Sequence, residues 1–192
     1  MLRKLYDKTM ALSASRHATP ALAGISFAES SFFPIPPDLL LVPMVLSSRM
    51  RWAYFALVAT VASVLGGLFG YMIGSLLYTQ IAEPLLAFYG YADKFDHFIG
   101  RFKEHGAWIV FIAGITPFPY KVITIASGAA GLSLPVFILA SVLARGIRFF
   151  LVAVLLYFFG PPIRDFIEKR LGLVIAAGTV LAILGYLALK VL

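Results

Sequence analysis

Residues 20–46 read PALAGISFAESSFFPIPPDLLLVPMVL, an apolar stretch that carries two acidic residues and several prolines. The acidic residues are Glu29 and Asp38. Between them lie three of the prolines: Pro34, Pro36 and Pro37. Because proline lacks an N–H group and clashes with the preceding helical turn, the stretch cannot form one unbroken helix. Broken backbone at membrane depth is tolerated only where protein or a water-filled cavity satisfies its polar groups. The stretch therefore predicts a re-entrant hairpin or a discontinuous helix.

The rest of the chain is also apolar. Of its 192 residues, 61% are hydrophobic and 13% are charged, whereas a typical soluble domain is about half apolar and about a quarter charged. Residues 53–78, 134–159 and 172–189 are each long enough to cross the ~30 Å hydrocarbon layer. We therefore expect an all-α integral membrane protein with about three spanning helices, and the length allows one membrane domain over residues 1–192.

A second broken stretch, residues 107–131, repeats the pattern of the first. It contains Pro117, Pro119 and Lys121. An amphipathic segment precedes each broken stretch (residues 1–16 and 91–103), and a long apolar stretch follows each one. Paired broken segments in two halves of a chain are typical of transporters built from inverted repeats.

The pattern predicts two proline-broken re-entrant hairpins in an inverted-repeat arrangement, with amphipathic helices lying in the membrane interface. Residues 1–19 lack the apolar core of a secretory signal peptide and are expected to form the first interfacial helix. Residues 20–160 hold both hairpin-plus-helix repeats, and residues 172–192 form the C-terminal transmembrane helix. Aligning Pro34 on Pro117 sets Asp38 against Lys121, an acid matched to a base.

Five ionisable residues fall inside apolar stretches: Glu29, Asp38, Lys121, Arg145 and Arg148. Because a charge at the centre of a spanning helix costs ~2.5–3.5 kcal/mol, we expect these side chains to converge and pair. With three cations and two anions the cluster carries a net charge of +1, which favours an anionic ligand such as a phosphate or carboxylate head group. The alternative is structural: the pairs hold helices together, or Asp38 and Lys121 extend to water.

Other residues point to packing or to proton exchange. Gly66, Gly70 and Gly74 form a stripe of small residues that favours close helix packing. Glu29 is a candidate for coupling transport to protons, because a carboxyl group in an apolar setting can exchange them near neutrality.

Enzymatic chemistry is not expected. The chain has no Cys, and its three His residues lie outside the apolar stretches. These patterns give no nucleophile with a base beside it, so we predict no catalytic residue, no metal site and no cofactor. The basic residues are scattered between apolar blocks, which argues against a nucleic-acid partner.

The run Glu29-Ser30-Ser31-Phe32-Phe33-Pro34-Ile35-Pro36-Pro37-Asp38 resembles the first signature of the DedA / SNARE-associated Golgi protein superfamily, the VTT domain. The glycines of residues 66–74 resemble the glycine-rich helix of that family. The run FIAGITPFPYKVITIASGAAG at residues 111–131 resembles its second hairpin. The details are most similar to the YqaA-like branch, and the resemblance covers roughly residues 20–160.

The resemblance implies a polytopic membrane protein in which two re-entrant hairpins face each other. Family members are implicated in moving lipids between leaflets and are linked to the proton-motive force and to envelope integrity. The resemblance also implies that Glu29, Asp38 and Lys121 are functional positions. Better-known bacterial members carry two arginines around the proline of the second hairpin, whereas Gly114 and Lys121 stand near those positions here. Lysine lacks the bidentate fork of arginine, so phosphate recognition is expected to differ here, with Arg145 and Arg148 as the arginines available to compensate.

We therefore predict an inner-membrane lipid transporter, a scramblase or flippase for a lipid with an anionic head group (a phospholipid or a polyprenyl phosphate). Proton coupling and a homo-oligomeric state stay open, and membrane lipids are the expected partners. The distribution of Lys and Arg predicts a multi-pass protein of the bacterial inner membrane with a cytoplasmic N-terminus. The alternatives are a proton-coupled transporter of small solutes or ions, and a structural or assembly protein of the membrane.

Overall fold

The structure, a computed structural model, describes residues 17–32, 35–78, 80, 92–116 and 119–169, and within these ranges the chain is helical without strands. This confirms the all-α prediction. The helices are α1 (Ala18–Ser31), α2 (Asp38–Ser47), a 3-10 turn (Arg49–Arg51), α3 (Trp52–Leu77), α4 (Ala92–Ile115), α5 (Tyr120–Ala129) and α6 (Leu134–Lys169). The predicted interfacial helix at residues 1–19 (apart from 17–19), the predicted spanning helix at 172–189, and the residues Pro34 and Pro117 lie outside the described ranges.

Two described segments, Arg49–Leu77 and Leu134–Gly160, are long and apolar enough to cross a membrane. They correspond to two of the three predicted spanning helices. The second was predicted to end at Phe159, and α6 is kinked there: Phe159 has non-helical backbone angles (φ −111°, ψ 16°), and Gly160, Pro161 and Pro162 follow it. The third span and the re-entrant path of the hairpins stay predictions.

The first hairpin consists of α1, a break and α2. Phe32 leaves the helical conformation after Ser31 (φ −149°, ψ −18°), and α2 begins directly after Pro36 and Pro37. Proline fits the start of a helix because the first N–H groups have no intrahelical partner. Pro43, in contrast, lies inside α2 and does not end it.

The second hairpin consists of α4, which ends at Ile115, and α5, which begins at Tyr120 directly after Pro119. The amphipathic segment at residues 91–103 was predicted as an interfacial helix. Its described part is helical but continues into the apolar stretch, and its place in the membrane interface stays a prediction. Residues 92–103 are the first half of α4, which runs unbroken to Ile115. The physical reason is that no proline occurs between residues 92 and 116, so the backbone hydrogen bonds continue from the polar half into the apolar half.

Helix α3 joins the two hairpins through its glycines. A Cβ atom on Gly66 would clash with the carbonyl group of Phe27 in α1, and one on Gly74 would clash with the carbonyl group of Ile125 in α5. Gly70, between them, lies against Thr124 of α5 and the carbonyl oxygen of Ser30. The glycine stripe thus lies at close contacts with both hairpins, and this approach is the one expected of small residues between membrane helices.

Helix α6 is shared by two hydrophobic clusters. Its first half contributes Phe137 and Ala140 to the cluster around α4 and α5. Its second half contributes Phe149 and Ala153 to the cluster around α1, α2 and the start of α3. The boundary between the two clusters on α6 therefore falls between residues 140 and 149.

Replacing Gly66 by Ala tests the packing of α1 on α3. The added methyl group has no room beside the carbonyl group of Phe27, so we expect a loss of about 1–3 kcal/mol, typical of overpacking. The measurement is the thermal unfolding midpoint of the purified protein in detergent. Gly24→Ala is the matched control, since Gly24 lies in α1 with no atom within 4 Å of the added Cβ. Equal midpoints for the two variants would contradict the packing role of Gly66.

Candidate functional site

Helix α6 binds both arms of the first hairpin through two ion pairs. Arg145 Nη2 donates a hydrogen bond to Glu29 Oε2 over 2.7 Å, and Glu29 lies in the last turn of α1. Arg148 Nη2 donates to Asp38 Oδ2, and Asp38 is the first residue of α2. Because the two arginines are three residues apart, they share one face of α6. The predicted convergence of acids and arginines is therefore present, on either side of the proline-containing break.

Glu29 and Arg145 belong to a closed ring of hydrogen bonds that includes two serines. Arg145 Nε donates to Ser63 Oγ over 2.6 Å, and Ser30 Oγ donates to Glu29 Oε2 over 3.2 Å. The two serine hydroxyls are 2.6 Å apart. Since the Ser30 proton is used on Glu29, Ser63 must be the donor to Ser30. Ser30, Ser63 and Arg145 are fully buried, so each hydroxyl satisfies a polar group that has lost contact with solvent.

Tyr120 of the second hairpin and Phe149 of α6 form an aromatic wall beside the two arginines. The guanidinium carbon of Arg145 lies 4.9 Å from the ring centre of Tyr120, the first residue of α5, and 4.6 Å from that of Phe149. Arg148 lies 5.7 Å from the same Phe149 ring. The hydroxyl of Tyr120 donates to Ser141 over 2.5 Å. These rings hold the cations in an apolar setting where cation–π attraction is strongest.

A direct hydrogen bond connects the two hairpins. Thr124 Oγ1 in α5 donates to the carbonyl oxygen of Ser30 over 2.9 Å. The last four carbonyl groups of a helix have no partner within that helix, and Ser30 is the penultimate residue of α1. The same hydroxyl lies 2.9 Å from the carbonyl oxygen of Lys121, so its one proton is shared between the end of α1 and the first turn of α5.

Two buried polar atoms at the site have no hydrogen-bond partner within the described ranges. They are Arg145 Nη1, a donor, and Asp38 Oδ1, an acceptor. The Arg145 guanidinium is therefore only partly used by Glu29 and Ser63, and one of its terminal nitrogens can still donate to an anion.

Lys121 does not pair with the acids of the first hairpin, as the sequence had predicted it would. It was expected to face both acids of the first hairpin, but each acid is bound to an α6 arginine instead. Lys121 is half-buried in the first turn of α5 and makes no ion pair with any residue that the structure describes. The alignment of the two repeats led to this prediction because it compares only the first hairpin (α1 and α2) with the second (α4 and α5). The actual partners of the two acids lie in α6, which this alignment leaves out.

Sequence reasoning missed Ser63 and Tyr120 as site residues. Ser63 had a usable signal: it is a polar residue in the apolar stretch 53–78, and its spacing to Gly66 and Gly70 puts it on the packing face of α3. Tyr120 had no such signal in the sequence, since aromatic residues are common in apolar stretches. Among the residues described, no group of three or more His, Asp or Glu side chains is placed to hold a metal ion.

Removing one member of the Glu29–Arg145 pair should lower the free energy of unfolding more than removing both members does. Glu29→Gln leaves a buried, uncompensated guanidinium, for which a loss of about 3–5 kcal/mol is typical. We expect the double variant Glu29→Gln with Arg145→Met to unfold at a higher temperature than either single variant. Arg51→Gln, at an exposed position, is the control and should change the midpoint little. Losses that simply add would show that the pair does not interact.

Comparison with known proteins agrees with the resemblance. The family model of the VTT domain matches residues 35–158, from the break of the first hairpin to the kink of α6. An uncharacterized protein from Haemophilus influenzae is 37% identical over 186 residues, which are 97% of this chain and 96% of the relative. An uncharacterized protein from Histophilus somni is 36% identical over 186 residues, 97% of each chain. No solved structure matches.

The match covers more than half of the chain, and it includes Asp38, Lys121 and both α6 arginines, while Glu29 precedes it. It also agrees with the long apolar helices, because VTT domain proteins are membrane-associated. A membrane transporter-like role is the function that this membership suggests. The chain belongs to the VTT domain family, that is, to the DedA family of membrane proteins.

Proposed function

We propose that this protein moves a lipid with an anionic head group, a phospholipid or a polyprenyl phosphate, between the two leaflets of a bacterial inner membrane. The observation that carries the proposal is the pair of α6 arginines, which lie inside a membrane-length apolar helix and are held by carboxylates at a helix break. Ionisable groups at membrane depth are costly, and they typically mark substrate or ion pathways and proton relays.

The chemistry of the site favours an anion. Arginine presents a planar fork of donors that matches phosphate and carboxylate oxygens in two-point contacts. Arg145 keeps one terminal nitrogen unused, and Lys121 adds a cation one residue after Tyr120, whose ring contacts Arg145. A head group that carries phosphate can therefore replace a carboxylate on an arginine without leaving the cation unpaired.

The two ion pairs differ in access. The Asp38–Arg148 side chains are 27% and 16% exposed, whereas the Glu29–Arg145 side chains are 12% and 0% exposed. A head group that arrives from the surrounding lipid meets Arg148 first and reaches Arg145 afterwards. The outer pair thus acts as the first contact and the inner pair as the deeper site.

Partner exchange would couple lipid movement to protons. When a phosphate takes Arg145, the carboxylate of Glu29 loses its cation while it is still largely buried. A buried, unpaired charge is strongly unfavourable, so the carboxylate takes up a proton and becomes neutral. When the lipid leaves, Arg145 returns to Glu29 and the proton is released. One proton is then held on Glu29 for as long as a head group occupies Arg145.

In the cell this role places the protein in the inner membrane as a multi-pass protein with its N-terminus in the cytoplasm, in line with the distribution of Lys and Arg. Lipids are its partners, and the activity supports envelope homeostasis. A homo-oligomer is compatible with the site but is not needed for it, because both hairpins and α6 come from one chain.

Reconstituted vesicles test the proposal. The purified protein is placed in phosphatidylcholine vesicles that contain a labelled phosphatidylglycerol or a labelled polyprenyl phosphate, and the accessibility of the label from outside is followed over time. We expect the wild-type protein to move both anionic lipids between leaflets. It should move labelled phosphatidylcholine more slowly than either of them. Glu29→Gln should reduce transport at least tenfold, since a tenfold change corresponds to only about 1.4 kcal/mol.

Glu104→Gln is the matched control, because it makes the same substitution at a side chain on α4 that is 74% exposed. It should transport lipid like wild type. If wild type and Glu29→Gln move both anionic lipids at the rate of protein-free vesicles, the proposal is wrong. Proton flux on addition of soluble anions, with no lipid movement, would instead identify a transporter of small solutes.

A further inference from the structure

Arg145 divides its hydrogen bonds between a carboxylate and a hydroxyl group. Its Nη2 atom donates to Glu29 Oε2 over 2.7 Å, and its Nε atom donates to Ser63 Oγ over 2.6 Å. Among the residues described, Arg145 makes no hydrogen bond to the second oxygen of the carboxylate, Oε1. The inner pair is therefore joined by a single hydrogen bond.

A single hydrogen bond is not what this edge of an arginine favours. Nε and Nη2 lie on the same edge of the guanidinium group, and a carboxylate that faces this edge accepts two parallel hydrogen bonds, one on each oxygen. Hydrogen bonds are stronger in a protein interior than in water, and Arg145 is fully buried. Ser63 occupies Nε and thereby keeps Glu29 from forming the two-point contact.

Ser63 is held in this place by its own hydrogen bond and by the packing of α3. Its proton is donated to Ser30, so toward Arg145 its hydroxyl oxygen can only accept. Ser63 is fully buried, and it lies one turn before Gly66, where α3 packs closely on the backbone of Phe27. The hydroxyl oxygen is therefore fixed against Nε.

The outer pair differs in this respect. Arg148 is also joined to Asp38 by one hydrogen bond, but its guanidinium group makes no hydrogen bond to a hydroxyl group of the residues described. Both side chains of the outer pair are partly exposed, so an incoming head group can reach them while they are still paired. Arg145 is enclosed, and exchange there requires that the pair itself is joined loosely.

We propose that Ser63 is a positioning residue for anion exchange at Arg145. It limits the Glu29–Arg145 pair to one hydrogen bond, so that an anionic head group can displace the carboxylate. Ser63 also stays on Nε when the carboxylate leaves, so the arginine keeps a partner throughout. This role rests on the proposed function, because it concerns how the same site releases one anion for another. Without the serine, Glu29 takes both nitrogens and competes more strongly with lipid.

Ser63→Ala tests this role through the lipid dependence of transport. Initial rates are measured in phosphatidylcholine vesicles over a series of phosphatidylglycerol mole fractions. We expect half-saturation to move to a severalfold higher mole fraction while the maximal rate stays near that of wild type, because more lipid outcompetes the stronger ion pair. A serine that serves packing alone would lower the maximal rate and leave half-saturation unchanged, and that result would overturn the inference.

Ser127→Ala is the matched control. It removes the same hydroxyl group from a fully buried serine that donates to the carbonyl oxygen of Ile123 in its own helix, and it should half-saturate like wild type. Because the freed Nε of Arg145 gains Glu29 as a partner, Ser63→Ala should unfold at a temperature no lower than Ser127→Ala does. A Ser63→Ala variant that fails to fold while Ser127→Ala folds would contradict the role of Ser63.

A second measurement does not depend on transport. Glu29→Gln is introduced into wild type and into Ser63→Ala, and the thermal unfolding midpoint of each purified protein is measured in detergent. Because the two-point contact forms only without Ser63, Glu29→Gln should lower the midpoint further in the Ser63→Ala background than in wild type. An equal or smaller drop would overturn the inference.

The two proposals can fail separately. If wild type moves no lipid but the larger drop in midpoint is found, the transport function is removed and Ser63 still limits the ion pair. If wild type moves lipid and Ser63→Ala changes neither half-saturation nor the drop in midpoint, only the role of Ser63 is removed.

Discussion

The two ion pairs between α6 and the first hairpin are the interactions on which the site depends. Glu29 ends one arm of the hairpin, Asp38 begins the other, and neither arm is long enough to span a membrane by itself. Arg145 and Arg148 bind these two residues from a single helix face. A break in a helix leaves backbone polar groups without partners, which is costly in an apolar setting. Here the break lies between two carboxylates, and both are neutralised by arginines of α6. Losing the pairs would leave four charges at this depth.

The glycine face of α3 lets these pairs form. Ser63 can bridge Arg145 and Ser30 only if α3 lies close to α1, and Gly66 provides that closeness one turn further along. The same helix face carries Gly70 and Gly74 toward α5, which in turn places Tyr120 beside Arg145. Packing and charge pairing are therefore coupled: a methyl group added on α3 would disturb hydrogen bonds on α6, although the two residues are far apart in the sequence.

Much of the fold was predictable because its causes are local. Proline chemistry predicts the breaks beside Pro36, Pro37 and Pro119, and the small-residue pattern predicts the close face of α3. The pairing of charges was predictable only in kind: apolar surroundings require that Glu29 and Asp38 find cations, but which cations depends on tertiary packing. The repeat suggested Lys121, and the shared helix α6 supplied Arg145 and Arg148. The unbroken course of α4 was missed for a related reason, since its polar and apolar halves differ in composition while their backbone continues without interruption.

Exchanging the charges of the outer pair tests the central claim most directly, namely that α6 and the first hairpin act as one anion-exchanging site. Asp38→Arg and Arg148→Asp are made singly and together, and the transfer of labelled phosphatidylglycerol is measured in reconstituted vesicles. The account predicts that each single variant, with two like charges facing each other, loses transport and that the double variant recovers a substantial part of it. A folded double variant that is as inactive as the singles, or a single variant that transports like wild type, would contradict the account.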